Sequence, residues 1–148
     1  MSKLDYIDTR KATIQMLRDW NDKQFLIDNA QEQLREINSK IRSVKSVSTD
    51  SIPVQGGANK AEENLCKAID RKNTIERGQH LAQEYWRDIT PAWEQLTHDE
   101  QFYLRTRFID CITGNGIKQI MQIKHIEQSE AYRRSDSALD RLRKLLFW

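Results

Sequence analysis

Five glycines and two prolines in 148 residues leave few points at which a helix is obliged to stop. Long uninterrupted helices are therefore allowed. The two cysteines, Cys66 and Cys111, lie far apart with no C-x-x-C pair, which argues against a disulfide scaffold or a zinc site. We read both as small apolar fillers or inert thiols. No apolar run approaches the ~20 residues of a membrane span, and the opening MSKLDYIDTRK lacks the apolar core of a secretory signal. A cytoplasmic protein with no membrane partner is expected. His80, His98 and His125 have no ligand spacing between them, and the HDE at His98 lacks the second histidine of H-E-x-x-H. Neither a nucleophile-base pairing nor a phosphate-cradling glycine loop is visible, and the carboxylates are spread along exposed helix faces. No enzyme activity, metal or cofactor is expected.

What is present is charge. Charged residues make up 31% of the chain and hydrophobic residues only 38%, the balance of elongated helices that keep much of each surface wet. The net charge of +2 is uneven: residues 96–148 carry nine Lys or Arg against seven Asp or Glu, and the preceding residues carry equal numbers.

Two apolar stripes organise the first part of the chain. Between about residues 11 and 45, Ile27, Ala30, Leu34, Ile37, Ile41 and Val44 recur at spacings of three and four, one seam of a helix. Extended backward, the seam reaches Trp20 and Met16 but passes through Lys23. A second stripe holds Leu65, Ala68, Ile75, Ala82, Trp86, Ile89, Trp93 and Leu96, with Lys72 and Gln79 at two of its positions. Those polar members either fix register, mark a docking place, or form a wet turn. Two matching seams joined by a Ser-, Gly- and Pro-containing connector, about 46–58, predict a long antiparallel hairpin in which each helix buries the other's stripe. The connector is long for a hairpin loop and is expected to be disordered or functional. Trp86 and Trp93 are expected in the packed seam. Phe25, Leu26, Leu81 and Tyr85 flank the seams and would be exposed on a hairpin alone; they are expected to cover either a third helix or a second copy of the protein, and the homo-oligomer is the favoured expectation.

Near residue 90 the pattern changes. Thr90 ahead of Pro91 predicts a kink or a new helix start. Thr97 and Glu100 have capping-box spacing and open a helix running to about Asp110, with Phe102, Leu104, Phe108 and Ile109 as its apolar members. TGNG at 113–116 is a turn. A short helix from Gly116 to about Ile123 buries Ile117, Ile120 and Met121, and a turn at 123–126 leads to a longer helix.

Supporting helix, short helix, tight turn and longer helix is the order of a helix-turn-helix DNA reader. In the last helix Ala131, Ala138, Leu139 and Leu142 supply an apolar back. Gln128, Ser129, Tyr132 and Arg133 offer donors and acceptors for base edges. Lys118, Lys124, Arg134 and Arg141 are the cations placed to meet phosphates. Arg133 and Arg134, about 100° apart on a helix, are expected to point differently, one reading bases and the other holding phosphate. Arg105 and Arg107 are expected to ion-pair with carboxylates. The chain is thus read as all-α: a helical hairpin over residues 1–95 and a helix-turn-helix over 96–148.

The C-terminal residues also resemble a known domain. Leu96, Thr97, Glu100, Leu104, Arg105, Arg107 and Phe108, with Ile126, Ala138, Leu139 and Leu142 in the final helix, are similar to the promoter-recognition region 4 of bacterial sigma factors. The whole chain resembles the sigma-like regulators of phages of Gram-positive bacteria, relatives of the RinA and ArpU late-gene activators. They pair a helical hairpin and a Pro-Gly connector like IPVQGGANK with an S-x-AYR stretch, here Ser129, Ala131, Tyr132 and Arg133. The resemblance implies a transcription activator that binds double-stranded DNA and contacts host RNA polymerase in the bacterial cytoplasm. The family often has Ser or Thr ahead of the recognition helix where this chain has Glu127, and no counterpart of a promoter-melting domain is visible. The competing expectation is an interaction module whose sigma-like end occupies polymerase or another protein without touching DNA.

Overall fold

The computed structural model of the protein describes residues 2–50, 57–111 and 114–148. It is all-helical, with no strand among the described residues. The order is α1 (Lys3–Arg18), α2 (Trp20–Asp50), α3 (Gly57–Glu94), α4 (His98–Leu104) continued by a π-helical turn (Arg105–Ile109), α5 (Gly116–Lys124) and α6 (Gln128–Phe147). The helices reach further into the expected 46–58 connector than the sequence suggested, and its residues 51–56 lie outside the described residues, as does Thr113 of the TGNG turn. Among the described residues no helix is long and apolar enough to cross a membrane.

The chain divides into two compact units, one of residues 24–84 and one combining 1–23 with 85–148. In the first, every described seam residue is at least partly covered. Ala30, Ile37 and Ala82 are buried, and Ile27, Leu34, Ile41, Val44, Leu65, Ala68 and Ile75 are half-buried, as are the polar members Lys72 and Gln79. Gly78 faces Leu26, whose Cδ2 would lie 3.8 Å from a Cβ at that position. Of the residues flanking the seams, Phe25 and Leu81 are exposed, but Leu26 is half-buried. Cys66 is an exposed free thiol rather than a filler.

In the second unit, α1 starts at a capping box. Ser2 Oγ accepts from the Asp5 amide at 3.1 Å and the Asp5 carboxylate accepts from the Ser2 amide at 3.1 Å. The first stripe does not form one continuous helix, because α1 and α2 are interrupted at Asp19. The Tyr85 hydroxyl donates to the Met16 carbonyl in the last turn of α1, and a side chain inserted into a helical ladder is a recognised cause of such a break. Tyr85, another of the flanking residues, is therefore buried. Around the junction Trp20 meets Trp86 edge-on at 4.7 Å and Trp93 at 4.9 Å, so both seam tryptophans pack as expected. Pro91 starts no new helix; α3 runs through it to Glu94. Proline removes a single ladder donor, and burial of Ile89 and Ala92 on either side holds the helix.

α4 opens on the expected capping box, Thr97 Oγ1 accepting from the Glu100 amide at 3.2 Å and Glu100 Oε1 from the Thr97 amide at 3.0 Å. The α-helical ladder ends at Leu104, and Asp110 N donates to Arg105 O at 2.8 Å in a π turn that the sequence did not signal. The core gathers Leu17, Ile89, Leu96, Leu104, Ile109 and Ile120 around the back of α6, where Ala131, Ala138, Leu139 and Leu142 are at most 1% exposed. α1 packs against α6 as well, with Arg10 on Asp136 at 3.3 Å and the Arg143 guanidinium 4.6 Å over the Tyr6 ring.

Candidate functional site

The candidate site is the solvent side of α5 and α6. α5 can lie close to the π turn because its first residue has no side chain: a Cβ on Gly116 would stand 2.6 Å from Thr106 O and 2.7 Å from Arg107 Cα. The Gly116 amide donates to Cys111 Sγ at 3.1 Å. α5 ends at His125, a left-handed residue with φ of 54°, and Ile126 N bonds back to Met121 O at 3.2 Å. Glycine or asparagine is the usual residue at such a cap, so His125 sits in a conformation its Cβ disfavours. Glu127 then stands as the extended N-cap of α6 without a side-chain capping bond, and the helix begins at Gln128.

Behind the surface, α6 is seated by satisfied polar contacts. Buried Ser135 donates to Ala131 O at 2.8 Å and accepts from Arg107 Nη1 at 2.9 Å. Arg107 also meets Asp136 at 2.7 Å, and its guanidinium stands 4.8 Å from the Phe108 ring centre and 5.1 Å from that of Tyr132. Arg105 pairs with Asp110 at 3.8 Å. Both supporting arginines thus ion-pair as expected.

Gln128, Ser129, Tyr132 and Arg133 are all exposed along the first turns of α6. Lys118 is exposed on α5 and, among the described residues, holds no ion pair. The other three cations read as phosphate contacts are each held internally. Lys124 Nζ lies 3.0 Å from Asp99 and over the Phe102 ring, Arg141 bonds Glu100 and the Gln95 carbonyl, and Arg134 bonds Glu130 at 2.7 Å and the Tyr103 hydroxyl at 3.0 Å.

The expectation that Arg133 and Arg134 aim apart needs correction. Both converge on one carboxylate, Arg133 Nε reaching Glu130 Oε2 at 2.9 Å and Arg134 Nε reaching Oε1 at 2.7 Å. Long side chains three and four residues beyond the same glutamate curl back toward it, so the angle between their Cα–Cβ bonds does not decide where the guanidiniums end. The hydrogen bonds from Arg133 and then Arg134 hold the Glu130 carboxyl at about 2, well below its ordinary value. Glu130 at i−3 and i−4 was a readable signal. Asp99, Glu100 and Asp136, which reach across helices, carried none.

His80 pairs with Glu84 at 3.1 Å, and the described residues contain no group of three or more His, Cys, Asp or Glu able to hold a metal ion. No protein-family model, no curated protein and no solved structure matches the chain.

Proposed function

We propose that this protein is a sequence-specific DNA-binding transcription regulator, with α5 and α6 as a helix-turn-helix and α6 as the helix that enters the major groove. The observation that carries the reading is the division of α6. Its back at Ala131, Ser135, Ala138, Leu139 and Leu142 is buried, while its first turns expose Gln128, Ser129, Tyr132 and Arg133 beyond a tight left-handed turn at His125. That combination suits a rigidly seated helix whose N-terminal side chains meet base edges. Residues 96–148 would supply the reader, braced by α1, and residues 1–95 an antiparallel hairpin. Within residues 24–84, the approach of Leu26 on α2 to Gly78 on α3 supports that hairpin. Exposed Phe25, Ile69 and Leu81 on its surface support self-association. The likeness to RinA- and ArpU-type regulators adds the biological part: activation of phage or prophage late genes together with host RNA polymerase in the bacterial cytoplasm.

A second reading, a protein-binding module that meets polymerase without DNA, is favoured by one feature. Lys124, Arg134 and Arg141 already hold carboxylates, so each must exchange partners to hold phosphate. Selection from a random duplex library separates the two. The DNA-reading proposal expects an enriched sequence bound in a salt-dependent manner, with Arg133→Ala or Gln128→Ala weakening it by about 1–3 kcal/mol, roughly five- to 150-fold. Absence of DNA binding at low salt, or unchanged affinity of both variants, defeats it.

A further inference from the structure

Resting on that DNA-binding reading, we propose that Glu130 is a built-in competitor for phosphate, and that Arg133 is the arm it releases on specific binding. The two arginines differ in what else holds them. Arg134 is tied on its far side to the hydroxyl of Tyr103, a buried residue of α4, and its side chain is 40% exposed. Arg133 has a side chain 70% exposed, and the hydrogen bonds described for it go to Glu130 alone. The carboxylate therefore grips one arginine that α4 also anchors and one that only the carboxylate restrains.

Two consequences follow for a nucleic acid. The pair and its carboxylate present a net charge of one cation rather than two, which lowers attraction to any phosphate backbone. An exposed helical ion pair is weak, so the restraint yields to a ligand that offers Arg133 a better-matched acceptor pair, such as the O6 and N7 edge of guanine. Glu130 would thus suppress sequence-independent binding more than sequence-specific binding, and the surface would trade affinity for discrimination.

The test compares the wild type, Glu130→Gln, Glu130→Ala, Glu127→Gln and the double variant Glu130→Gln/Arg133→Ala on random-sequence duplex DNA across a salt series. Glu127→Gln removes an equal charge one turn away, and so measures the general electrostatic effect. The expected result is that both Glu130 variants bind about three- to tenfold more tightly than Glu127→Gln at low salt. Their salt slope should be steeper by about one phosphate contact, a change near 0.9 in the log–log plot. Adding Arg133→Ala should cancel the gain. If the wild type binds and neither Glu130 variant exceeds Glu127→Gln, the competitor role is overturned while the DNA reading stands. A gain that survives Arg133→Ala overturns Arg133 as the released arm. If no variant binds duplex DNA at low salt, both readings fall. Far-UV circular dichroism checks that each variant keeps its helices, and the alanine variant serves if glutamine disturbs the turn.

Discussion

Replacing Gly116 by alanine tests the closest backbone approach in the site. The new Cβ would meet Thr106 O at 2.6 Å, Arg107 Cα at 2.7 Å and Arg107 O at 3.1 Å. All three are backbone atoms of the π turn, so no flexible side-chain end can swing aside. Restoring ordinary contact requires α5 and the π turn to separate by roughly 0.7–1 Å, the kind of overpacking that costs about 1–3 kcal/mol. Helix propensity opposes this by at most about 1 kcal/mol, and less at a first helical position than in an interior. The net expectation is a loss of roughly 0.5–2.5 kcal/mol, each kcal/mol lowering Tm by about 2–4 °C for a chain of this length. Gly78→Ala is the matched control. Its Cβ would find only Leu26 Cδ2 at 3.8 Å, an ordinary contact, in the interior of α3. It should stabilise by about 0.5–1 kcal/mol. Urea unfolding of both variants against the wild type measures the contrast. A Gly116→Ala protein within about 0.5 kcal/mol of the wild type, or a Gly78→Ala protein that loses as much, would refute the steric argument.

Two further outcomes are expected. Burial, with the Asp19 charge adding to it, pushes the Tyr85 phenol well above its ordinary value of 10.0. Because the folded value is the raised one, the stabilisation from the protonated Tyr85 is complete below about pH 10 and is lost as the unfolded chain ionises above it. The alkaline absorbance difference between wild type and Tyr85→Phe should show no Tyr85 phenolate around pH 10 while the protein stays folded, and a full phenolate amplitude there would contradict the packing at the α1–α2 junction. For self-association, exposed Phe25 and Leu81 predict a mass above the monomer by light scattering, reduced by Phe25→Ser/Leu81→Ser. A monomer mass at high concentration would remove the oligomer from the proposal.

Much of the local structure was legible from residue order. The Thr97–Glu100 capping box, the turn before α6 and the apolar back of α6 all appear where hydrogen-bonding side chains and helical spacing placed them. These are properties of residues at most a few positions apart. The seam members from Ile27 to Ala82 are likewise at least half-covered where described, because a stripe of apolar side chains on a helix leaves water whatever partner it finds. The errors came where a distant residue intervened. The break at Asp19 coincides with Tyr85 reaching Met16, a residue far away in sequence, and the π turn shows no local cue. Of the two outcomes expected at Pro91, a kink or a new helix, the new helix start is absent, because α3 runs on to Glu94.

The candidate site divides in the same manner. Gln128, Ser129, Tyr132 and Arg133 were assigned to the exposed turns of α6, and they are exposed. Sequence alone determined an all-helical chain, the amphipathic division of α6 and the presence of cations near its front, since each depends on spacing along one helix. Only the tertiary structure decided what those cations hold. Lys124 on Asp99, Arg141 on Glu100 and Arg134 on Tyr103 are contacts between helices, and α1 on α6 joins the two ends of the chain. Charge in a sequence is a count, but a cation's readiness to meet a phosphate depends on which anion the fold has already brought within about 3–4 Å of it.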